Sequence, residues 1–194
     1  QEYLNILSKK SNSLKQLIDE IFNMAKLDAN EVQLKTEFFD LAEVARETLI
    51  DFLPELKKHD IDLNVQLPEK KCFVIADRLS LIRVIENIVR NGIHYGKEGK
   101  VLGIELTESE HEYQLLIWDQ GPGIPENDIE NVFDRMYRRD RSRSLDDGSG
   151  LGLAIAKSLV EKNRGRIWAQ SVPWEKTTFG FSLPKQNHLQ SFKN

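Results

Sequence analysis

The sequence predicts an α/β (α+β) two-layer sandwich, a mixed sheet of about five strands packed on three helices, preceded by a long N-terminal helix. Three observations lead there. β-type segments come in adjacent pairs separated by single helical segments, which favours a mixed sheet over a doubly wound one. The first 28 or so residues carry a narrow apolar seam at helical spacing. A chain of 194 residues with 40% hydrophobic and 30% charged positions is enough for one core plus an appendage. The organisation expected is a helix over 1–30, a sandwich over 31–185 and a polar, fraying tail over 186–194.

In the first helix Leu4, Leu7, Leu14, Ile18, Ile21 and Ala25 alternate at spacings of three and four, with Ser11 in the one polar gap. The seam is narrow and the rest of the helix very polar, so it reads as half of a helical hairpin or dimer; the plainer alternative is a surface helix packed on its own domain. "EVQLKTEFF" reads as a strand. Asp40 can cap the helix "LAEVARETLIDFLPELKKH", with Glu43 completing a capping-box-like pattern and Pro54 kinking or shortening it. "IDLNVQLP" and "KCFVIAD" read as a strand pair joined at Pro68. "RLSLIRVIENIVRNGIHYG" is a helix, "KVLGIELTES" and "EYQLLIWDQ" are strands, and "GPGIPENDIENVFDR" is a turn and short helix. A polar run, "MYRRDRSRSLDDGSG", leads to the helix "LGLAIAKSLVEKN" and the strands "GRIWAQSV" and "KTTFGFSLP".

Composition excludes several functions. A net charge of -4 leaves the chain as a whole without a basic footprint for nucleic acid. The single cysteine, Cys72, rules out an intrachain disulfide and a cysteine-rich zinc site, and in "CFVIA" it reads as a buried structural thiol. No apolar run approaches the roughly 18 residues of a membrane span, and no signal peptide opens the chain. A soluble segment that touches no membrane is expected. Its first residues read as mid-helix, as in a piece of a longer protein.

The stretch "DDGSGLGLAIAKSLVEKN" carries Gly148, Gly150 and Gly152 before an apolar helix. A Walker loop would need lysine and a hydroxyl residue after the last glycine, and a dinucleotide fingerprint would need a strand before the first. Neither is present. Glycines at a helix start still let backbone N–H groups and the positive dipole end meet an anion. In "WDQGPGI", Asp119 ends an apolar strand, where a carboxylate is costly to bury without a donor; an adenine amino group is such a donor. On the helix before it, Asn87, Asn91 and His94 share one side. An asparagine amide oxygen is a hard neutral ligand suited to a magnesium ion that also holds phosphate oxygens. Each pattern alone is commonplace: a helix start, a turn, a solvated face.

Their order is not commonplace. Asn-x-x-x-Asn on a helix, Asp-x-Gly-x-Gly-Ile at a strand end, "VFDRMYR", and Gly-x-Gly-Leu-Gly-Leu opening a helix resemble the catalytic and ATP-binding domain of sensor histidine kinases. That domain has the Bergerat-type ATP-binding fold of the gyrase, heat-shock chaperone and mismatch-repair ATPases. The resemblance covers nearly the whole chain; the first helix is similar to the second helix of the dimerisation and phosphoacceptor hairpin. It implies ATP and Mg2+ as ligands. Asn91 resembles the magnesium-coordinating asparagine, and Asn87 the residue beside the γ-phosphate and metal. His94 and Tyr95 would lie along the nucleotide. Asp119 would accept the adenine amino proton, with Gly121, Gly123 and Ile124 shaping the base pocket. Phe133 and Tyr137 would anchor a mobile lid, and Arg138 would reach the phosphates. Gly148, Gly150, Leu151, Gly152 and Leu153 would form the lid's end and the helix start. Thr177 or Thr178 would hydrogen-bond near the base.

The chain departs from the family pattern at Gly92, where alanine is usual, at Met136, where phenylalanine is frequent, and at His94, where lysine or arginine is common. A neutral imidazole offsets phosphate charge less, so ATP affinity is expected to depend on pH. The arginines of "RMYRRDRSRS" lie between two nucleotide motifs and are interrupted or followed by Asp140, Asp146 and Asp147, which suits a lid better than a nucleic-acid patch. None of His59, His94, His111 and His188 stands in a phosphoacceptor motif, so this segment is expected to bind magnesium-ATP without phosphorylating its native histidine. The resemblance further implies a response-regulator receiver domain as partner, homodimerisation through the N-terminal hairpin, and a cytoplasmic location in a membrane-bound whole. The rival readings are a non-catalytic nucleotide-sensing or dimer-scaffold module and a related ATPase or serine kinase. Those ATPases usually place glutamate at the position of Asn87, and asparagine cannot deprotonate water.

Overall fold

A computed structural model describes residues 2–29, 33–137 and 149–186. Helix α1 (Glu2–Asp28) leads into β1 (Thr36–Asp40), α2 (Leu41–Ile50) and α3 (Leu53–Lys58). Then come β2 (Asp62–Gln66), β3 (Phe73–Asp77), α4 (Arg78–Gly96), β4 (Val101–Glu108) and β5 (Glu112–Asp119). A 3-10 turn (Glu126–Asn131), α5 (Gly152–Lys162), β6 (Arg166–Val172) and β7 (Lys176–Pro184) complete the order.

Five strands form one sheet in the order β2-β4-β5-β7-β6. Only the β2–β4 pair is parallel, so the sheet is mixed, as expected. α4 buries Leu81, Val84, Ile85, Ile88 and Val89, a stripe at helical spacing, against the inward side chains Leu102, Ile104, Leu115, Ile117, Phe179 and Phe181. Burial of each such aliphatic side chain stabilises the fold by roughly 1.5–3 kcal/mol. α2 and α5 pack beside α4 on the same face. Cys72 is buried and free.

Two sequence expectations are corrected. β2 and β3 are not a strand pair: β3 pairs antiparallel with β1 in a separate two-stranded sheet. Six residues (67–72) separate them, including Pro68 and no glycine, so the connection lacks the chemistry of a tight hairpin turn. β2 instead pairs with β4 by a crossover through β3 and α4. The strand expected over 31–39 begins only at Thr36; Glu31 and Val32 lie outside the described residues.

Asp40 caps α2 as expected, but through the Ala42 N–H (3.1 Å). The same oxygen also accepts from the Cys72 N–H (2.9 Å), tying α2 to the start of β3. The helix expected to run to His59 breaks after Ile50. Pro54 then sits in the first turn of α3, where its missing N–H leaves no helical bond unmade. Asp77 caps α4, accepting from the Ser80 N–H (2.7 Å), while its own N–H donates to Asn163 Oδ1 (2.7 Å) at the end of α5. The start of α4 and the end of α5 are thereby held together.

Met24 and Leu27 of α1 are buried, and the helix contacts α5. On its seam Leu7, Leu14, Ile18 and Ile21 are exposed. No helix among the described residues is long and apolar enough to cross a membrane.

Candidate functional site

α4, the end of β5, the turn after it and the start of α5 enclose a cavity of about 470 Å³, within the range of small-molecule pockets. Asn87, Asn91, His94, Tyr95, Asp119, Gly123, Ile124, Tyr137, Gly150, Gly152 and Leu153 line it. Residues spread over almost seventy positions of sequence thus converge on one space.

Asp119 forms the inner end. It is 5% exposed and accepts at Oδ1 from the Gly121 N–H (2.9 Å). Burial drives its carboxyl up to about 6, with the Gly121 hydrogen bond opposing the rise. A buried carboxylate with one backbone donor has acceptor capacity left for a ligand. Gly96, the last residue of α4, closes against it: a Cβ there would come within 2.4 Å of Asp119 Cγ. The turn after Asp119 is held from β6 and its hairpin, with the Ile124 N–H donating to Ser171 Oγ (2.9 Å) and the Trp174 N–H to the Gly121 carbonyl (2.9 Å).

α5 supplies the opposite end. Leu151, at its N-cap, has no side-chain acceptor to offer the first turn. Its own N–H donates to Ser149 Oγ (3.1 Å), and Gly152 and Leu153 face the cavity. The helix start presents N–H groups and a positive dipole end to that space. A Cβ on Gly152 would lie 3.4 Å from Asn87 Oδ1, so this asparagine stands at the helix start. His94 meets Tyr95 edge-on at 4.5 Å between ring centroids. The Met136 N–H donates to the Gly150 carbonyl (3.1 Å), and Gly150 takes a left-handed φ of +73° that pinches the two segments together.

The remaining expected residues fall differently. Gly121 is buried beneath the turn and serves Asp119 through its N–H. Phe133 packs edge-on against Phe179 (6.2 Å), a cavity-lining residue of β7. Leu151 is in the core. Thr178 pairs with Trp118 on the other face of the sheet; Thr177, directly opposite Asp119, is the threonine that lines the cavity. Strand parity decides between them, because facing alternates with period two. Arg138 and Gly148 lie outside the described residues.

Residues not anticipated also line the space. Ser149 donates a hydrogen bond to the Glu20 carboxylate, which brings α1 to the cavity's rim. Glu55, His59, Arg90 and Lys97 extend the wall between α3 and α4. No signal in sequence links α1 or α3 to this site, because both contacts depend on how helices pack.

Comparison with known proteins agrees with the geometry. The family described as histidine kinase-, DNA gyrase B-, and HSP90-like ATPase matches residues 76–187. The sensor histidine kinase YcbM of Bacillus subtilis is 31% identical over 189 residues, 97% of this chain and 61% of the relative. The sensor histidine kinase WalK of the same organism is also 31% identical, over 94% of this chain and 30% of the relative. The chain therefore spans only part of the curated kinases it matches. The catalytic domain of the histidine kinase ThkA superposes with a TM-score of 0.69 at 27% identity, over 78% of this chain and 97% of that one. ThkA in complex with the response regulator TrrA gives a TM-score of 0.77 at 25% identity, over 96% and 51% of the two chains. Full-length ShkA in complex with AMPPNP, at 19% identity and a TM-score of 0.83, shares the fold over 96% of this chain and 39% of that one. The chain belongs to the histidine kinase-, DNA gyrase B- and HSP90-like ATPase family, and the curated relatives it resembles over nearly all of its length are sensor histidine kinases.

Proposed function

We propose that the cavity binds magnesium-ATP and that the whole protein transfers the γ-phosphoryl group to a histidine, then to a response-regulator aspartate. The observation that carries this reading is the pairing of a buried, single-donor carboxylate, Asp119, with an uncapped helix start at Gly152, with Asn87 and Asn91 lining the space between them. A carboxylate suits the exocyclic amine of adenine, and a helix start suits phosphate.

The donor set fits the metal the family implies. Among the described residues no cluster of three His, Cys, Asp or Glu side chains could hold an ion. Magnesium usually takes one or two protein oxygens together with phosphate oxygens, which Asn91, with Asn87 beside it, can supply. Bound there, the ion would offset phosphate charge during transfer. The protein's own part is positioning. Asp119, Gly121, Gly123 and Ile124 hold the base. His94 and Tyr95 flank the nucleotide. Phe133 and Tyr137 anchor the chain that leads into the lid, and the part proposed for Arg138 is to offset phosphate charge. Gly148, Gly150, Leu151, Gly152 and Leu153 form the phosphate end, and Thr177 rather than Thr178 faces the base. Asn87 orients the γ-phosphate for in-line attack by a histidine nitrogen. The Pγ–N bond forms as the bond to the ADP oxygen breaks.

Within the whole protein, residues 1–30 act as the second hairpin helix and homodimerise through the exposed seam. Residues 31–185 are the ATP-binding domain, and 186–194 are a polar tail. The receiver domain is the phosphoryl acceptor, the location is the cytoplasmic side of a membrane-bound kinase, and nucleic acid is not a partner.

The test uses labelled ATP and a separate protein carrying the first hairpin helix. Acid-labile, base-stable label on that helix supports the reading. Nucleotide binding without transfer would support a scaffold instead. Asp119→Asn is expected to abolish ATP binding in a titration, whereas Asn87→Ala keeps much of the binding and loses transfer.

A further inference from the structure

Arg90 lines the same cavity, and its charge has no part in the reading above. Its guanidinium carbon lies 5.2 Å from the centroid of the Phe52 ring, at the junction of α2 and α3. Phe52 is 3% exposed, so the ring is a fixed seat for an otherwise exposed side chain. A guanidinium laid on an aromatic face is held by the ring's charge distribution and keeps the N–H donors at its edge for other groups. Among the described residues no carboxylate pairs with Arg90, and no acceptor takes a hydrogen bond from it. Glu55 shares its wall without forming an ion pair with it, and Glu20 accepts from Ser149.

Position along α4 determines what this charge can meet. Gly96 abuts Asp119, so the base end of the site lies at the C-terminal end of α4. Asn87 abuts Gly152, so the phosphate end lies nine residues earlier, about 14 Å along the axis. Arg90 is three residues, about 4.5 Å of rise, from Asn87 and adjoins Asn91 in sequence. It leans toward α3, whereas Gly152 approaches Asn87 from α5. Lys97, the other Lys or Arg side chain in the described lining, follows Gly96 and belongs to the base end.

We propose that Arg90 is a substrate-binding residue for the terminal phosphate of ATP, meeting from the α3 side the group that Asn87 and the start of α5 meet from the other. The inference rests on the ATP reading above and deepens it. A guanidinium offers parallel N–H donors to two phosphate oxygens at once and keeps its charge at any working pH. A divalent ion offsets only part of the charge of a triphosphate, and the protein must offset the rest. The terminal phosphate is what separates ATP from ADP, so a contact there favours the nucleotide that still has a group to transfer.

The experiment measures Kd for ATP and for ADP, with magnesium present, on this chain and its variants by titration calorimetry. Arg90→Met keeps an unbranched apolar stem against Phe52 and removes the charge. It should weaken ATP by about five- to tenfold, as expected for a charge-assisted hydrogen bond at an exposed position. ADP should weaken by less than about twofold, so the ratio of the two Kd values shifts against ATP. Arg90→Glu places a charge of the phosphate's own sign there and should shift the ratio further. If Arg90→Met leaves the ratio unchanged, or weakens both nucleotides equally, Arg90 only covers the Phe52 ring; the inference is then overturned and the ATP reading stands. Binding of neither nucleotide to the unaltered chain overturns both.

Discussion

Burial raises the Asp119 carboxyl to about 6 against a single opposing hydrogen bond from the Gly121 N–H. Below about pH 6 the side chain of the empty protein holds a proton and no longer offers two free acceptor oxygens to an amine. ATP affinity is therefore expected to fall about tenfold per pH unit on the acid side, measured by titration calorimetry. Affinity flat across this range would refute the assignment of Asp119. The same carboxyl bears on stability. Its folded-state pKa lies above the ordinary carboxylate value, so its contribution is greatest below about pH 4 and is lost as pH rises through about 6. At neutral pH the ionised group lowers stability by about 1–3 kcal/mol. Asp119→Asn should accordingly raise the Tm of the empty protein at pH 7 while eliminating ATP binding. A mere structural carboxylate would lower both.

At the scale of elements, the site depends on how closely α4 approaches β5. Gly96 ends α4 with its Cα side against Asp119, and alanine there would overlap the carboxylate carbon. Gly96→Ala is expected to lower stability by about 1–3 kcal/mol and, on the proposed reading, to weaken ATP binding by about tenfold or more, since overpacking pushes Asp119 aside. Chemical denaturation and nucleotide titration on the same variant check the two effects. α4 and β7 were legible in sequence to the residue, because amphipathic periodicity marks the helix and alternating apolar residues mark the strand. The partners of β2 and β3 were not legible. Strand pairing is decided by which edges meet after α4 folds over the sheet, and adjacency in sequence misled. Thr177 over Thr178 was likewise settled only by register with Asp119.

For the whole molecule, ligand binding to the folded state alone adds stability by mass action. Magnesium-ATP at one hundred times its Kd should add about 2.7 kcal/mol and raise Tm by roughly 5–10 °C, read by differential scanning fluorimetry; the Asp119→Asn protein should show no such shift. α1 enters this scale through two faces. Met24 and Leu27 are buried, and Glu20 meets Ser149 at the cavity rim, while the seam of Leu7, Leu14, Ile18 and Ile21 remains open to solvent. The helix thus has one face committed to the ATP-binding unit and an apolar face available for a helical partner.

The sequence by itself determined the fold class, the elements and the family. Periodicity and capping are local, and four spaced motifs carry the nucleotide chemistry whatever the details of packing. Tertiary structure decided which strands pair, which of two adjacent threonines lines the cavity, and that α1 reaches the site through Glu20. It also set the behaviour of Asp119. A carboxylate's affinity for protons depends on the water and donors around it, and only the closed contact of Gly96, β5 and the following turn removes that water.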